Sequence, residues 1–325
     1  IPAQIYYPVD DGREAFPLIV FGHGWLLPVS TYATLRDDLV SQGWILAFPT
    51  TEGGLFPDHL DFALDLEFVA HSVLTENYQS DSELYGLVLQ FSVLMGHSMG
   101  GGAGVLAASD TSADALVTLA AAETDPSAIA AAAQVTVPSL TLAGGSDSIT
   151  PPDQHQIPIF QNLGSSYKSY VSFNGVGHLN IYTNPLVLTA IRTWLDYALS
   201  GENSALAAWI GWLDQNLDNL SYINVGYPEV AASDPHAAPV MPRLEIWPNP
   251  ARSAASLRYR LNQGGRVCLT LFDLRGRKLR TLYEGQRPPG SHQLDFATED
   301  LPSGLYLARL QAGDSESRGW LTLLK

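Results

Sequence analysis

Ser98 stands at the tip of Gly96-His97-Ser98-Met99-Gly100, with the apolar run Phe91-Ser92-Val93-Leu94-Met95 before it and the small-residue run from Gly101 to Ala108 after it. That order predicts a strand, a sharp turn and a helix, with the serine hydroxyl thrown forward at the turn. A serine so placed is strained, with positive φ, and its neighbours two residues away have no room for a Cβ, which accounts for the glycines. In return the hydroxyl sits at a helix start, where free N–H groups and the helix dipole favour negative charge. The chemistry this suits is nucleophilic attack through the serine oxygen.

A serine nucleophile needs a base, the base an orienting acid, and the developing oxyanion a pair of donors. The motif's own chain order is serine, then acid, then histidine. Two histidines follow Ser98 within the first two thirds of the chain, His155 and His178. His178 is favoured because it lies in the glycine-rich Asn174-Gly175-Val176-Gly177-His178, just past an apolar run. His155 lies in a polar stretch and reads as a surface or rim group. For the acid, Asp147 ends the run Ser139–Ala143 through Gly144-Gly145-Ser146, a position that holds a carboxylate in place. Asp125 and Asp153 compete with it, and Asp125 has a second reading as a helix cap. The oxyanion donors expected are the N–H of Met99 and the N–H of Trp25, in Gly22-His23-Gly24-Trp25. His23 reads as a structural histidine beneath that loop, His59 and His71 as surface groups, and His97 as a shaper of the acyl side of the pocket.

These residues require a scaffold that lines up several loops. Phe16–Phe21, Trp44–Pro49, Ala115–Ala121, Ser139–Ala143 and Tyr167–Phe173 read as buried strands. Helical spacing at Tyr32–Gln42, Phe62–Leu74, Ser127–Gln134, 185–199 and 204–217 alternates with them. The pattern predicts an α/β fold, a mainly parallel sheet with helices on both faces and its site at the carboxyl ends of the strands. The loops after Phe21, Met95 and Ala143 meet there.

The 325 residues, 46% of them hydrophobic, suffice for two domains. We expect a catalytic domain over 1–225, an Ala/Pro-rich linker over 226–242 and a small all-β sandwich over 243–325. Residues 1–242 hold four basic against 25 acidic groups, and residues 243–325 hold 13 against eight, within a net charge of −16. So acidic a body argues against nucleic acid or an anionic membrane as its partner. No apolar run approaches the roughly 18 residues of a membrane span. The start at Ile1 suggests a trimmed or mature chain. The lone Cys268 excludes an intramolecular disulfide and reads as an inert core residue in mid-strand.

Ile5-Tyr6-Tyr7-Pro8, the run from Phe16 to Gly24, Gly96–Gly101, Val135–Leu140 and Gly145–Ile149 together resemble the α/β-hydrolases, with the nearest look to the cutinase-like polyester hydrolases and their dienelactone-hydrolase relatives. The resemblance covers about residues 1–215. It implies Ser98, Asp147 and His178 as the triad, Trp25 and Met99 as oxyanion donors, and an open, lidless cleft with Trp25 as one wall and His97 and Thr124 beside it. It implies a serine carboxylic ester hydrolase acting on polyesters. A small-ester or lipid esterase is the alternative, and a non-catalytic adhesin on the same scaffold is a further one. Three departures stand out: His97 stands before the serine where such hydrolases often have tryptophan, Ala120–Asp125 offers no second clamp tryptophan, and the C-terminal disulfide is absent. No cofactor or metal is expected.

A second resemblance spans about 243–325. Trp247-Pro248-Asn249-Pro250, Leu271–Arg277, Leu301-Pro302-Ser303-Gly304-Leu305-Tyr306 and the closing Leu-Leu-Lys are similar to the C-terminal sorting domain of type IX secretion. This implies a Gram-negative secreted or cell-surface protein that meets the secretion machinery through its tail. We expect a monomer.

Overall fold

The computed structural model describes residues 1–9, 15–110, 113–226, 244–247, 251–261, 264–273, 277–313 and 315–323. The chain divides into two compact units, Ile1–Glu229 and Val230–Lys325. The linker expected at 226–242 lies, Gly226 aside, outside the described residues, as does Pro248–Pro250 of the tail motif.

In the first unit, eight strands form one sheet: β1 (Ala3–Tyr6), β2 (Phe16–Gly22), β3 (Ile45–Pro49), β4 (Val88–His97), β5 (Ala115–Leu119), β6 (Ser139–Gly144), β7 (Lys168–Phe173) and β8 (Leu220–Gly226). Their order is β1-β3-β2-β4-β5-β6-β7-β8. The pairings from β3 through β7 are parallel, and β1 and β8 add antiparallel edges. The continuous apolar runs arise because helices cover both faces. Alternate residues of β2 split between two cores, Ile19 and Phe21 on one side, Leu18 and Val20 on the other. The first core is closed by α1 (Ala33–Ser41), α6 (Pro185–Ser200) and α7 (Asn203–Gln215). The second is closed by α2 (His59–Glu76), α3 (Met99–Ala108), the short α4 (Ala128–Ala131) and α5 (Gln156–Asn162). Strand β8 and helix α5 go beyond the elements read from the sequence. No helix among the described residues is long and apolar enough to cross a membrane.

The second unit stacks a three-stranded sheet on a four-stranded one, with antiparallel pairing between neighbouring strands in each. Its strands are β9 (Glu245–Trp247), β10 (Ala254–Leu261), β11 (Gly265–Asp273), β12 (Lys278–Arg287), β13 (Gly290–Ala297), β14 (Gly304–Ala312) and β15 (Ser315–Leu323). Both sheets contribute to one core around Leu257, Leu269, Leu310 and Leu323. Cys268 is not a core residue. Val267, Leu269 and Leu271 point inward, so the two-residue period turns Cys268 to the other face, half-buried.

Candidate active site

The turn after β4 has the backbone its glycines imply. Ser98 adopts φ 55° and ψ −120°, a region costly to any residue with a Cβ. Four bonds hold it there. The Ser98 N–H donates to Leu119 O at 3.0 Å, and Ser98 O accepts from Gly101, Gly102 and Ala122 N–H at 3.0, 3.1 and 2.9 Å. The start of α3 presses on β2 and β4 so closely that a Cβ on Gly22 would lie 2.8 Å from Gly100 O. Gly96 and Gly100 would collide with backbone outright.

The loops after β4, β6 and β7 bring three side chains into line. Ser98 Oγ lies 2.9 Å from His178 Nε2, and His178 Nδ1 lies 2.8 Å from Asp147 Oδ2. With the ring proton on Nδ1 facing the carboxylate, Nε2 is free to accept from the serine hydroxyl. Asp147 and His178 are both buried and Ser98 is partly so. Burial pushes the Asp147 pKa up. Hydrogen bonds from His178, Thr150 and Ile149 outweigh it and hold the carboxyl below its ordinary 3.8.

Thr150 belongs to this group, and sequence reasoning missed it. Its N–H and that of Ile149 donate to Asp147 Oδ1 at 2.9 and 2.8 Å, and its hydroxyl lies 2.9 Å from Asp147 Oδ2 and 3.1 Å from His178 Nδ1. The signal was present in Asp147-Ser148-Ile149-Thr150, the spacing at which an aspartate caps the following turn.

The two expected oxyanion donors lie just past the ends of β2 and β4. Met99 opens α3, so its N–H has no acceptor within the helix. Trp25 follows β2 in a turn closed by Leu27 N–H to Gly24 O at 3.0 Å, with Leu26 at φ 58°. His23 is buried beneath that turn. Its ring nitrogens face Gly24 O at 3.0 Å and Thr51 O at 2.8 Å. Because a peptide is planar, fixing the Gly24 carbonyl also fixes the direction of the Trp25 N–H.

The expected cleft lining needs correction. Trp25 is 53% exposed, but His97 is 0% and Thr124 only 8% exposed. The His97 ring turns inward and engages Tyr32 and the His178 carbonyl. The Thr124 hydroxyl is spent on Pro126 O at 2.7 Å. Exposed apolar side chains on the strand-end loops are instead Leu26, Leu55, Phe56, Ile149 and Leu179. The competing residues lie elsewhere in the network. His155 Nδ1 accepts from Glu123 N–H at 3.0 Å, and Asp125 N–H donates to His59 Nδ1 at 3.2 Å. Asp153 is exposed. Among the described residues no cluster of three or more His, Cys, Asp or Glu side chains is arranged to hold a metal ion.

Comparison with known proteins gives two family matches along the chain. The model described as "PET hydrolase-like" matches residues 2–201. The "Secretion system C-terminal sorting domain" model matches residues 245–319. Bis(hydroxyethyl) terephthalate hydrolase of Streptomyces coelicolor is 28% identical over 203 residues, or 59% of this chain. The match spans 60% of that relative's length.

Proposed function

The chain belongs to the PET hydrolase-like family through residues 2–201, and from that premise we propose that it is a serine carboxylic ester hydrolase that cleaves polyesters through an acyl-enzyme. The observation that supports this most is the unbroken line of contacts from Ser98 through His178 to Asp147. His178 Nε2 takes the Ser98 proton as Oγ attacks the ester carbonyl. The N–H groups of Trp25 and Met99 hold the oxyanion. The imidazolium then gives its proton to the leaving alcohol, and the acyl group stays on Ser98. Water, deprotonated by His178, attacks the acyl-enzyme, and collapse returns the proton to Ser98 and releases the acid. Trp25 and the apolar residues on neighbouring loops favour a flat, water-poor ester over a polar one.

A second reading is narrower. The named relative acts on a small terephthalate diester, and the buried Ala120 and Ala121 put no aromatic side chain at the end of β5. A soluble diester held by Trp25 alone fits both facts. Turnover of p-nitrophenyl esters, of bis(hydroxyethyl) terephthalate and of a polyester film separates the readings. Film hydrolysis supports the first, and release from the soluble diester alone supports the second. Ser98→Ala is expected to lower kcat by about 10⁴-fold or more. Retained turnover, or no labelling of the wild-type chain by a fluorophosphonate, rejects the serine mechanism. The sorting domain marks the protein for export to the medium or the cell surface, where such esters lie.

A further inference from the structure

Behind the nucleophile runs a second, buried line of hydrogen bonds. The Gly24 N–H donates to Tyr32 Oη at 2.7 Å, and Tyr32 Oη lies 3.0 Å from His97 Nδ1. His97 Nε2 lies 3.0 Å from the backbone oxygen of His178. A carbonyl only accepts, so Nε2 carries the ring proton and Nδ1 is the acceptor. Tyr32 therefore donates to Nδ1, and every bond points the same way, from Gly24 N–H through Tyr32 and His97 to His178 O. Both side chains are fully buried. The His97 ring is boxed by the rings of His178 and Tyr182, with centroids 4.7 and 5.0 Å away.

We propose that His97 and Tyr32 act as one positioning unit that fixes the loop of the base His178 against the loop of the oxyanion donor Trp25. This rests on the serine hydrolase reading. The two loops follow β2 and β7, which are not neighbours in the sheet, so no ladder bond joins them directly. The line through Tyr32 and His97 does. At one end it holds the residue before the Trp25 N–H. At the other it holds the main chain from which the base projects. Neither residue touches the ester, and their effect is on the reacting groups' alignment, where an error of about 1 Å costs up to about a hundredfold.

The test compares Tyr32→Phe, His97→Leu, His97→Gln and the pair Tyr32→Phe/His97→Leu in the full chain. Each is followed by kcat and KM on a soluble ester, melting temperature, and the downfield proton NMR signal of His178 Nδ1–H. His97→Leu removes the donor to His178 O. It is expected to cut kcat about tenfold to a hundredfold with KM little changed, and to broaden or shift the NMR signal. His97→Gln keeps an N–H donor and is expected to recover most of the rate. The paired variant is expected to be no slower than His97→Leu alone, because links of one chain are not additive. Additive losses, a His97→Leu kcat within about twofold of wild type, or an unmoved NMR signal overturns the proposal. If His97→Leu does not fold, the near-isosteric Tyr32→Phe decides the matter through the same two readouts, kcat and the NMR signal. The NMR arm needs no substrate. It therefore judges the positioning unit separately from the ester chemistry, which Ser98→Ala judges.

Discussion

His97 and Asp147 respond to acid in the same direction by different routes. Burial, then the neighbouring His178, lowers the His97 pKa from 6.5 to about 3. The unfolded chain thus takes up a proton near pH 6.5 that the folded chain refuses until about pH 3. The stability this group contributes is complete above pH 6.5 and is lost as pH falls through that window, at up to about 1.4 kcal/mol per pH unit. Asp147, held below its ordinary 3.8, adds a loss only as pH falls through 3.8 and below. Glu67 acts in the opposite sense: burial, then Asp110, raises its pKa to about 8, so its contribution falls as pH rises from 4.5. The informative quantity is therefore the difference between wild type and His97→Gln. In thermal melts between pH 8 and 4.5, the wild type is expected to lose melting temperature relative to the variant once pH drops below 6.5. A constant difference across that range would mean that the folded protein accommodates a charged His97.

At the scale of the element, α3 shows how backbone approach and helix propensity compete within one ten-residue segment. A Cβ on Gly100 would enter the Gly22 backbone, and one on Gly102 would enter Ala122 O, whereas one on Gly104 would meet only Leu116 Cδ1 at 3.6 Å. Alanine in place of glycine inside a helix stabilises by about 0.5–1 kcal/mol where there is room. Gly104→Ala is therefore expected to raise the melting temperature by about 1–4 °C with unchanged turnover. Gly100→Ala and Gly102→Ala are expected to lower it and to abolish turnover, since α3 must move off the Gly22 backbone in the first and off the Ala122 carbonyl in the second. Calorimetry with an ester assay checks all three. The same element explains what the sequence made legible. The glycines around Ser98 mark a turn that only glycine allows, and the buried parallel strands are continuous apolar runs, so the fold could be read, and with it the three side chains, Ser98, His178 and Asp147, that the structure brings into contact. The inward turn of His97 was not legible. Nothing local distinguishes a ring that lines a cleft from one that points between two loops, because its partner Tyr32 lies 65 residues away. Thr150 was hidden for the opposite reason, since its role depends on a three-residue turn whose purpose appears only once His178 is beside it. Strand β8 was missed because it follows closely on a helix and pairs at an edge, where alternation is weak.

For the whole molecule, the decisive feature is that each unit buries its own apolar residues. Among the described residues, the cores around Ile19 and Leu18 draw on residues up to Leu220, and the core around Leu257 on residues from Leu244 onward. Hydrophobic burial is the dominant favourable term in folding, so each unit holds what it needs to fold. The charges differ as well, with four basic against 25 acidic groups before residue 243 and 13 against eight after it. Separate cores predict two calorimetric transitions in the full chain. They also predict that a chain ending at residue 242 keeps the transition of the first unit within about 3 °C and its kcat/KM on a soluble ester within about twofold. A larger shift at low salt that vanishes at high salt would mean that the basic tail stabilises the acidic body through charge, since screening acts on exposed pairs over a Debye length of about 10 Å at 0.1 M salt. A larger shift at every salt concentration would mean shared apolar burial. The expected result leaves the tail with export alone, and the ester chemistry wholly within residues 1–226.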